Sequence, residues 1–94
     1  MNDVHTRICQ VAVDGEREHG SDGVVYYDAA SGTIGWRKLA DMYPDKLRDD
    51  VGAMLTEYGN DNFFVCQLDD RRMHVWQLPR MRALEMLTNR SSTV

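Results

Sequence analysis

The sequence has little cysteine, no long apolar run and no excess of basic charge, and each absence argues against a class of protein. Cys9 and Cys66 are the only cysteines, and both sit in apolar stretches, so we expect two buried reduced thiols and no disulfide framework. No apolar run approaches the ~20 residues that span a bilayer. The first residues lack a basic region followed by an apolar one, so we expect no signal peptide and a cytoplasmic location.

The charge is negative and unevenly distributed along the chain. The formal net charge is −4, from 11 Lys and Arg against 15 Asp and Glu, and the excess of acid lies in residues 1–60. Neutralisation of phosphates by basic side chains supplies most non-specific nucleic-acid affinity, so general nucleic-acid binding is disfavoured. The acidic half instead favours solubility, or contact with a basic surface of a partner.

Size and composition predict a single folded domain over residues 1–94. The chain is 43% hydrophobic and 28% charged, which is ordinary for a globular protein and argues against disorder. Residues 7–13 are rich in β-branched side chains and alternate loosely, which predicts a strand; a helix joining Val4, Ile8 and Val11 is the competing interpretation. Residues 14–23 carry three glycines and no apolar residue, which predicts a mobile loop.

The remaining chain reads as hairpin, helix, hairpin, helix. A first hairpin is predicted over residues 24–38, because Asp28 and Gly32 suit the turn that joins its strands. An apolar stripe at helical spacing predicts a helix over residues 45–58: Leu47, Val51, Met54, Leu55 and Tyr58. A second hairpin over 63–78 and a helix near 80–90 follow, with residues 91–94 expected to fray.

These elements predict the α+β class. We expect one antiparallel sheet of four or five strands, built from two hairpins and the N-terminal strand and packed with two helices, in the order β-ββ-α-ββ-α.

The second hairpin is apolar on both faces, which is the most informative property of the sequence. Pairing across its turn places Cys66 opposite Val75 on one face. The other face then holds four large apolar side chains: Phe63, Val65, Trp76 and Leu78. In one interpretation the chain's own helices, or its N-terminal strand and loop, cover both faces. In the other, one face docks onto a symmetric copy or another protein, with Trp76 as the anchor.

No set of residues predicts catalysis, cofactor binding or a metal site. Cys66 and His74 are the nearest approach to a nucleophile and base, but strand alternation places them on opposite faces of the hairpin. His5 and Cys9 share a side only if that segment is helical, and two ligands make a weak metal site. The neighbouring acids of 49–50 and 69–70 are typical of a solvated helix surface and a tight turn.

We therefore expect a small non-enzymatic protein-binding module that acts as an adaptor or inhibitor of a larger assembly. Acidic single-domain chains without catalytic motifs are common among proteins that block other machines, including those of phages and mobile elements. The expected partner is another protein or a symmetric copy, as in a homodimer. The predicted partner-binding residues are Phe63, Val65, Trp76, Leu78, Arg71 and Arg72.

Two alternatives of other classes remain open at this stage. Arg71 and Arg72 form the tip of a two-stranded ribbon, which can enter a DNA major groove, so a dimeric nucleic-acid-associated regulator is the first. The flanking acids Asp69 and Asp70 argue against it. An enzyme that assembles its site across a dimer interface is the second.

Overall fold

Three helices enclose one four-stranded sheet in the computed structural model, which describes the backbone of residues 3–92 and the side chains of residues 4–88. The elements follow in chain order: α1 (Asp3–His19), β1 (Gly23–Asp28), β2 (Thr33–Lys38), a 3-10 turn (Leu39–Asp41), α2 (Asp45–Tyr58), β3 (Asn62–Asp69), β4 (Arg72–Pro79) and α3 (Arg80–Ser92).

The first hairpin closes through side-chain and backbone features that the sequence predicts. Asp28 Oδ1 accepts hydrogen bonds from the backbone N–H groups of Ala30 and Ser31, at 3.0 and 3.4 Å. Gly32 has a φ of +74°, a left-handed conformation that costs glycine little because it has no Cβ. These contacts reverse the chain and set the pairing of β1 with β2.

Both predicted hairpins form, and the predicted pairing of the second hairpin is confirmed. In the second hairpin, Asp70 takes a φ of +59° between the paired residues Asp69 and Arg72. A two-residue connection of this kind leaves little freedom for the strands to slip. The observed pairs include Val25 with Trp36 and Tyr27 with Ile34 in the first hairpin, and Cys66 with Val75, Val65 with Trp76 and Phe63 with Leu78 in the second.

The strand order is β2-β1-β3-β4, and the two hairpins meet through a parallel pairing of β1 with β3. The α+β class is confirmed, but the sheet is mixed instead of wholly antiparallel. The reason is the connection between the hairpins: β2 brings the chain back to the end where β1 began, and α2 then leads it into β3 at that same end. β3 therefore runs in the direction of β1.

The N-terminal segment differs from its prediction, because residues 7–13 lie in α1 and do not form a strand. The competing helical interpretation holds, with Ile8, Cys9 and Ala12 buried against the sheet. The predicted loop over 14–23 is likewise wrong up to His19, where the helix ends. Gly15 belongs to the helix for a packing reason described below, so it does not mark a turn.

The sheet is covered on both faces by helices of the same chain. On one face α1 and α3 bury a core around Val25, Val65 and Leu78. On the other face α2 and the 3-10 turn cover a second core, in which Val51 of α2 packs with Val24 and Phe64. The molecule thus has three layers, and the sheet carries apolar side chains on both of its sides.

The two later helices lie where the sequence predicts them. α2 begins at Asp45 and ends at Tyr58, as predicted, and α3 covers the predicted 80–90. The backbone of residues 91 and 92 continues α3, so the predicted frayed tail over 91–94 is tested only at its start, and residues 93 and 94 lie outside the described part of the chain.

Trp36 of β2 fits between two glycines and fixes α1 on the sheet. A methyl group at Gly15 would come within 2.9 Å of Trp36 Cγ and closer still to two other ring atoms. A methyl group at Gly23 would lie 2.6 Å from Trp36 Cε2. The His19 ring stacks on the indole with centroids 6.4 Å apart. Glycine is required at both positions because the indole occupies the space of a side chain.

Candidate interaction surface

Three of the predicted partner-binding residues lie in the interior of the domain. Phe63, Val65 and Leu78 are 6%, 0% and 1% exposed, and they pack in the core beneath α1 and α3. The apolar excess of this hairpin face is therefore covered by the chain's own helices. These three side chains stabilise the fold and offer no surface to a partner of this folded subunit.

Trp76 is half-buried at the margin of the same core. Its Nε1 donates a hydrogen bond of 2.8 Å to Gln67 Oε1 on the neighbouring strand. Its ring stacks on His5 of α1, with centroids 6.3 Å apart and planes inclined by 10°. Most of its hydrogen-bonding and stacking capacity is thus used within the subunit, which leaves only part of the ring for an external contact.

Arg71 and Arg72 lie at the exposed end of the second hairpin. Within the described residues, neither guanidinium comes within ion-pair distance of a carboxylate, although Asp69 and Asp70 are their chain neighbours. Two exposed guanidinium groups without ion-pair partners therefore lie at the end of the sheet, where they can bind carboxylate or phosphate oxygens.

An open patch lies on the α2 side of the sheet, and sequence reasoning did not identify it. It consists of Tyr26, Gly35, Leu68, Met73 and Val75. Tyr26 lies opposite Gly35, and Leu68 lies opposite Met73. A methyl group placed at Gly35 would meet no atom within 4 Å. Met73 is 38% exposed, and neither it nor Leu68 belongs to a core cluster.

The open patch exists because α2 covers only part of its face of the sheet. α2 packs on Val24 and Phe64, near the beginnings of β1 and β3. The positions of the open patch lie further along, toward the two hairpin turns. Tyr26 and Val75 contact the edge of the α2 core and are only partly buried. Nothing in the local sequence fixes where a helix ends on a sheet, so the hairpin pattern alone could not reveal this boundary.

A cation borders the open patch. The guanidinium carbon of Arg37 lies 4.4 Å from the centre of the Tyr26 ring, a distance at which the ring's electrons attract the charge. Arg37 is exposed and makes no ion pair among the described residues. An apolar centre with an arginine at its rim is the composition of many protein–protein contact sites.

Arg80 organises a second polar cluster at the opposite end of the sheet. Its Nη1 donates to Glu16 Oε1, its Nη2 donates to Gly59 O at 2.8 Å, and its Nε donates to Asn60 O at 3.1 Å. The guanidinium also lies 4.3 Å from the centre of the Phe63 ring. Arg80 thereby joins α1, the end of α2 and the start of α3.

A cavity of about 290 Å³ adjoins this cluster, lined by Glu16, Ser21, Leu55, Gly59, Asn60 and Arg80. All three nitrogens of the Arg80 guanidinium donate to groups of the chain, so we interpret the cluster as a structural junction. Its members are distant in sequence, and no local pattern indicates that they meet.

The thiol and imidazole that resemble a catalytic pair do not come together. Cys66 is buried on the α2 side of the sheet, and burial raises the pKa of its thiol to about 11, against a weaker opposing effect of the Arg37 charge. His74 lies on the other face, as the predicted register requires. A thiol with so high a pKa is a poor nucleophile near neutral pH.

The described residues contain no group of three or more His, Cys, Asp or Glu placed to hold a metal ion. Among the helices within residues 3–92, none has the length and apolar character needed to cross a bilayer. Comparison with protein families, with curated proteins and with solved structures finds no match for this chain.

Proposed function

We propose that the protein is a non-enzymatic binding module of the cytoplasm, which acts as an adaptor or inhibitor by covering a surface of a larger protein assembly. The observation that supports this is the open patch. It is an apolar, partly exposed surface of the sheet, whereas the other large apolar side chains of comparable or greater exposure, Tyr43, Tyr58, Met81 and Leu84, lie outside the strands.

The energetics of the open patch suit protein contact. Complete burial of a large apolar side chain is worth about 1.5–3 kcal/mol. Tyr26, Leu68, Met73 and Val75 each expose about a third of their surface or less, so covering what remains would contribute at most about 2–4 kcal/mol. Arg37 at the rim supplies a charge for a carboxylate of the partner. This combination gives an anchor that is apolar at its centre and polar at its margin.

The test compares two variants that each introduce a glutamine side chain, one inside the open patch and one outside it as a control. Gly35→Gln fills open space above the sheet, where no atom lies within 4 Å of the new Cβ, so it should block the open patch and leave the fold intact. Ala53→Gln adds the same side chain on the exposed outer side of α2. A photo-crosslinking residue at Met73 should capture one discrete partner, and Gly35→Gln should remove that product while Ala53→Gln retains it.

Three outcomes would contradict this proposal. If a photo-crosslinking residue placed at Ala53 captured the same partner equally well, the open patch would not be the contact site. Capture from Met73 that persists in Gly35→Gln would mean the same. No product from Met73 under conditions where the protein is active would leave the patch without a binding role.

A second candidate function rests on the free guanidinium groups of Arg71 and Arg72, which could contact phosphates as a nucleic-acid regulator does. The adjacent acids and the net charge of −4 oppose it. Our proposal expects no binding of DNA or RNA at about 50 mM salt, where phosphate contacts are strong. Binding that weakens steeply with salt, and is lost when both arginines are replaced by alanine, would favour the second candidate instead.

A further inference from the structure

The two edges of the sheet are protected to very different degrees. The outer edge of β2 carries Arg37 and Lys38, and charges of this kind prevent edge strands from pairing with other strands. β4 forms the other edge. Between Arg72 and Pro79 it has no Lys, Arg, Asp or Glu, no proline, and no bulge in its pairing with β3. Six consecutive residues of regular, uncharged strand therefore lie along an open edge.

We infer that β4 pairs with β4 of a second copy of this chain, so that two sheets join into one across a two-fold axis. Met73 and Val75 also belong to the open patch, but the inference rests on the backbone groups of the edge strand, whereas the proposed function rests on exposed side chains, so a monomer would overturn the inference and leave the proposed function standing.

The backbone geometry shows which groups of β4 are available. Arg80 N donates to Asp61 O at 2.8 Å, which makes these opposed residues a hydrogen-bonded pair. Because such pairs alternate along an antiparallel ladder, His74, Trp76 and Leu78 direct their backbone groups toward β3. The intervening residues Met73, Val75 and Gln77 direct theirs outward. Each of the three thus presents an N–H and a C=O along the edge.

These groups fix one register for a symmetric pair. If Val75 lies opposite its own copy, Met73 of each chain lies opposite Gln77 of the other, and every outward group has a partner. Each pair exchanges two hydrogen bonds, so the three pairs form six. If the pairing moved two residues toward the end of the strand, Gln77 would lie opposite its own copy and Pro79 opposite Val75, and Pro79 has no N–H to donate. The register centred on Val75 is therefore the most complete one.

Charge at the two ends of β4 favours a second copy in the antiparallel direction. Arg71 precedes β4 and Arg72 begins it, next to Asp69 and Asp70, whereas the exposed Asp61 lies beside the far end of the strand. Neither the two arginines nor Asp61 make an ion pair within residues 4–88. The two-fold arrangement brings the arginines of each copy toward Asp61 of the other. A parallel arrangement would place like charges together.

The test uses exposed side chains that this register places opposite one another. In Met73→Lys with Gln77→Lys, lysine faces lysine at both cross-chain pairs. In Met73→Lys with Gln77→Glu, lysine faces glutamate at both. Thr33→Lys adds a charge to the β2 edge as a control. Sedimentation equilibrium up to about 0.1 mM would measure the dimer, since contacts of micromolar affinity are saturated there, and circular dichroism would check folding.

We expect a wild-type dimer, a dissociation constant raised about tenfold or more in the double-lysine variant, and near wild-type association in the lysine–glutamate variant and in Thr33→Lys. A wild-type monomer at 0.1 mM would overturn the inference. So would equal weakening in the two double variants, because the substituted residues would then not be opposed. Dissociation by Thr33→Lys would assign the contact to the other edge.

Discussion

The same substitution at two helical glycines should change stability in opposite directions. Gly15 lies in α1 and Gly52 in α2. Alanine has a higher helix propensity than glycine by about 1 kcal/mol, so local propensity predicts that both substitutions stabilise the protein. The surroundings differ, however: a methyl group at Gly15 meets the Trp36 ring, whereas one at Gly52 lies 3.2 Å from Leu39 Cδ2.

At each glycine, the cost of overpacking and the gain in helix propensity together decide whether alanine raises or lowers the free energy of unfolding. Overpacking a filled site costs about 1–3 kcal/mol, and severe overlap lies at or above the upper end of that range. Trp36 cannot move away easily, because Gly23 and His19 bound it on other sides. Gly15→Ala should therefore destabilise by about 2 kcal/mol net of the propensity gain. Leu39 Cδ2 is the end of a flexible side chain that can yield, so Gly52→Ala should stabilise by roughly 0.5 kcal/mol.

Urea unfolding followed by tryptophan fluorescence and circular dichroism would measure both free energies. Gly15→Ala should also change the emission of Trp36 in the native state, whereas Gly52→Ala should not. If Gly15→Ala proved as stabilising as Gly52→Ala, the indole could not be held against α1 in the way described, and the argument that Gly15 is retained for packing would fail.

Two further predictions concern the polar junction and the buried thiol. Arg80→Ala should lower the free energy of unfolding by about 3 kcal/mol, because charge-assisted hydrogen bonds and the contact with Phe63 are lost. Arg82→Ala, at an exposed position of the same helix, should change it by less than about 0.5 kcal/mol. Equal effects of the two variants in urea unfolding would contradict the structural role of Arg80. Because burial raises the pKa of Cys66 from 9.0 to about 11, its contribution to stability is full below pH 9 and is lost as the pH rises toward 11, since the unfolded thiol ionises first. Cys66→Ala should flatten that alkaline decline, and an unchanged profile would mean that the thiol is not buried as a neutral group.

The hairpins could be predicted from sequence because their determinants are local. Asp28 and Gly32 specify the first turn within a few residues, and alternation then sets which side chains share a face. The second hairpin follows the same logic through Asp70. α2 is equally local, because its stripe repeats at helical spacing over three turns.

The N-terminal helix was mispredicted because its determinants are distant. Gly15 resembles a loop residue until Trp36 is seen to occupy the space beside it. The buried side of α1 is completed by small side chains such as Ala12, whose burial depends on contact with the sheet and with α3. A helix stabilised chiefly by tertiary contacts leaves a weak local signal.

The candidate surface was only partly accessible to sequence reasoning. The pattern correctly indicated that the second hairpin needs cover on two faces, but which parts remain uncovered depends on the length and position of the helices above it. The sequence analysis therefore chose Trp76 as the exposed anchor, whereas the open patch is formed by Met73 and Val75 of the same strand. No local sequence pattern indicates the Arg80 junction, because the groups that Arg80 contacts come from separate parts of the chain.

One layer of the molecule is built from the two ends of the described chain. α1 and α3 lie side by side on the same face of the sheet, and Cys9 Sγ approaches Met86 Sδ to 3.7 Å although 77 positions separate them. The lateral contacts of α1 therefore form only after α3 has been synthesised and has packed onto the sheet. Until α3 is in place, the part of this core that it covers stays exposed to solvent, so complete burial of one face of the sheet depends on two helices that are far apart in the chain.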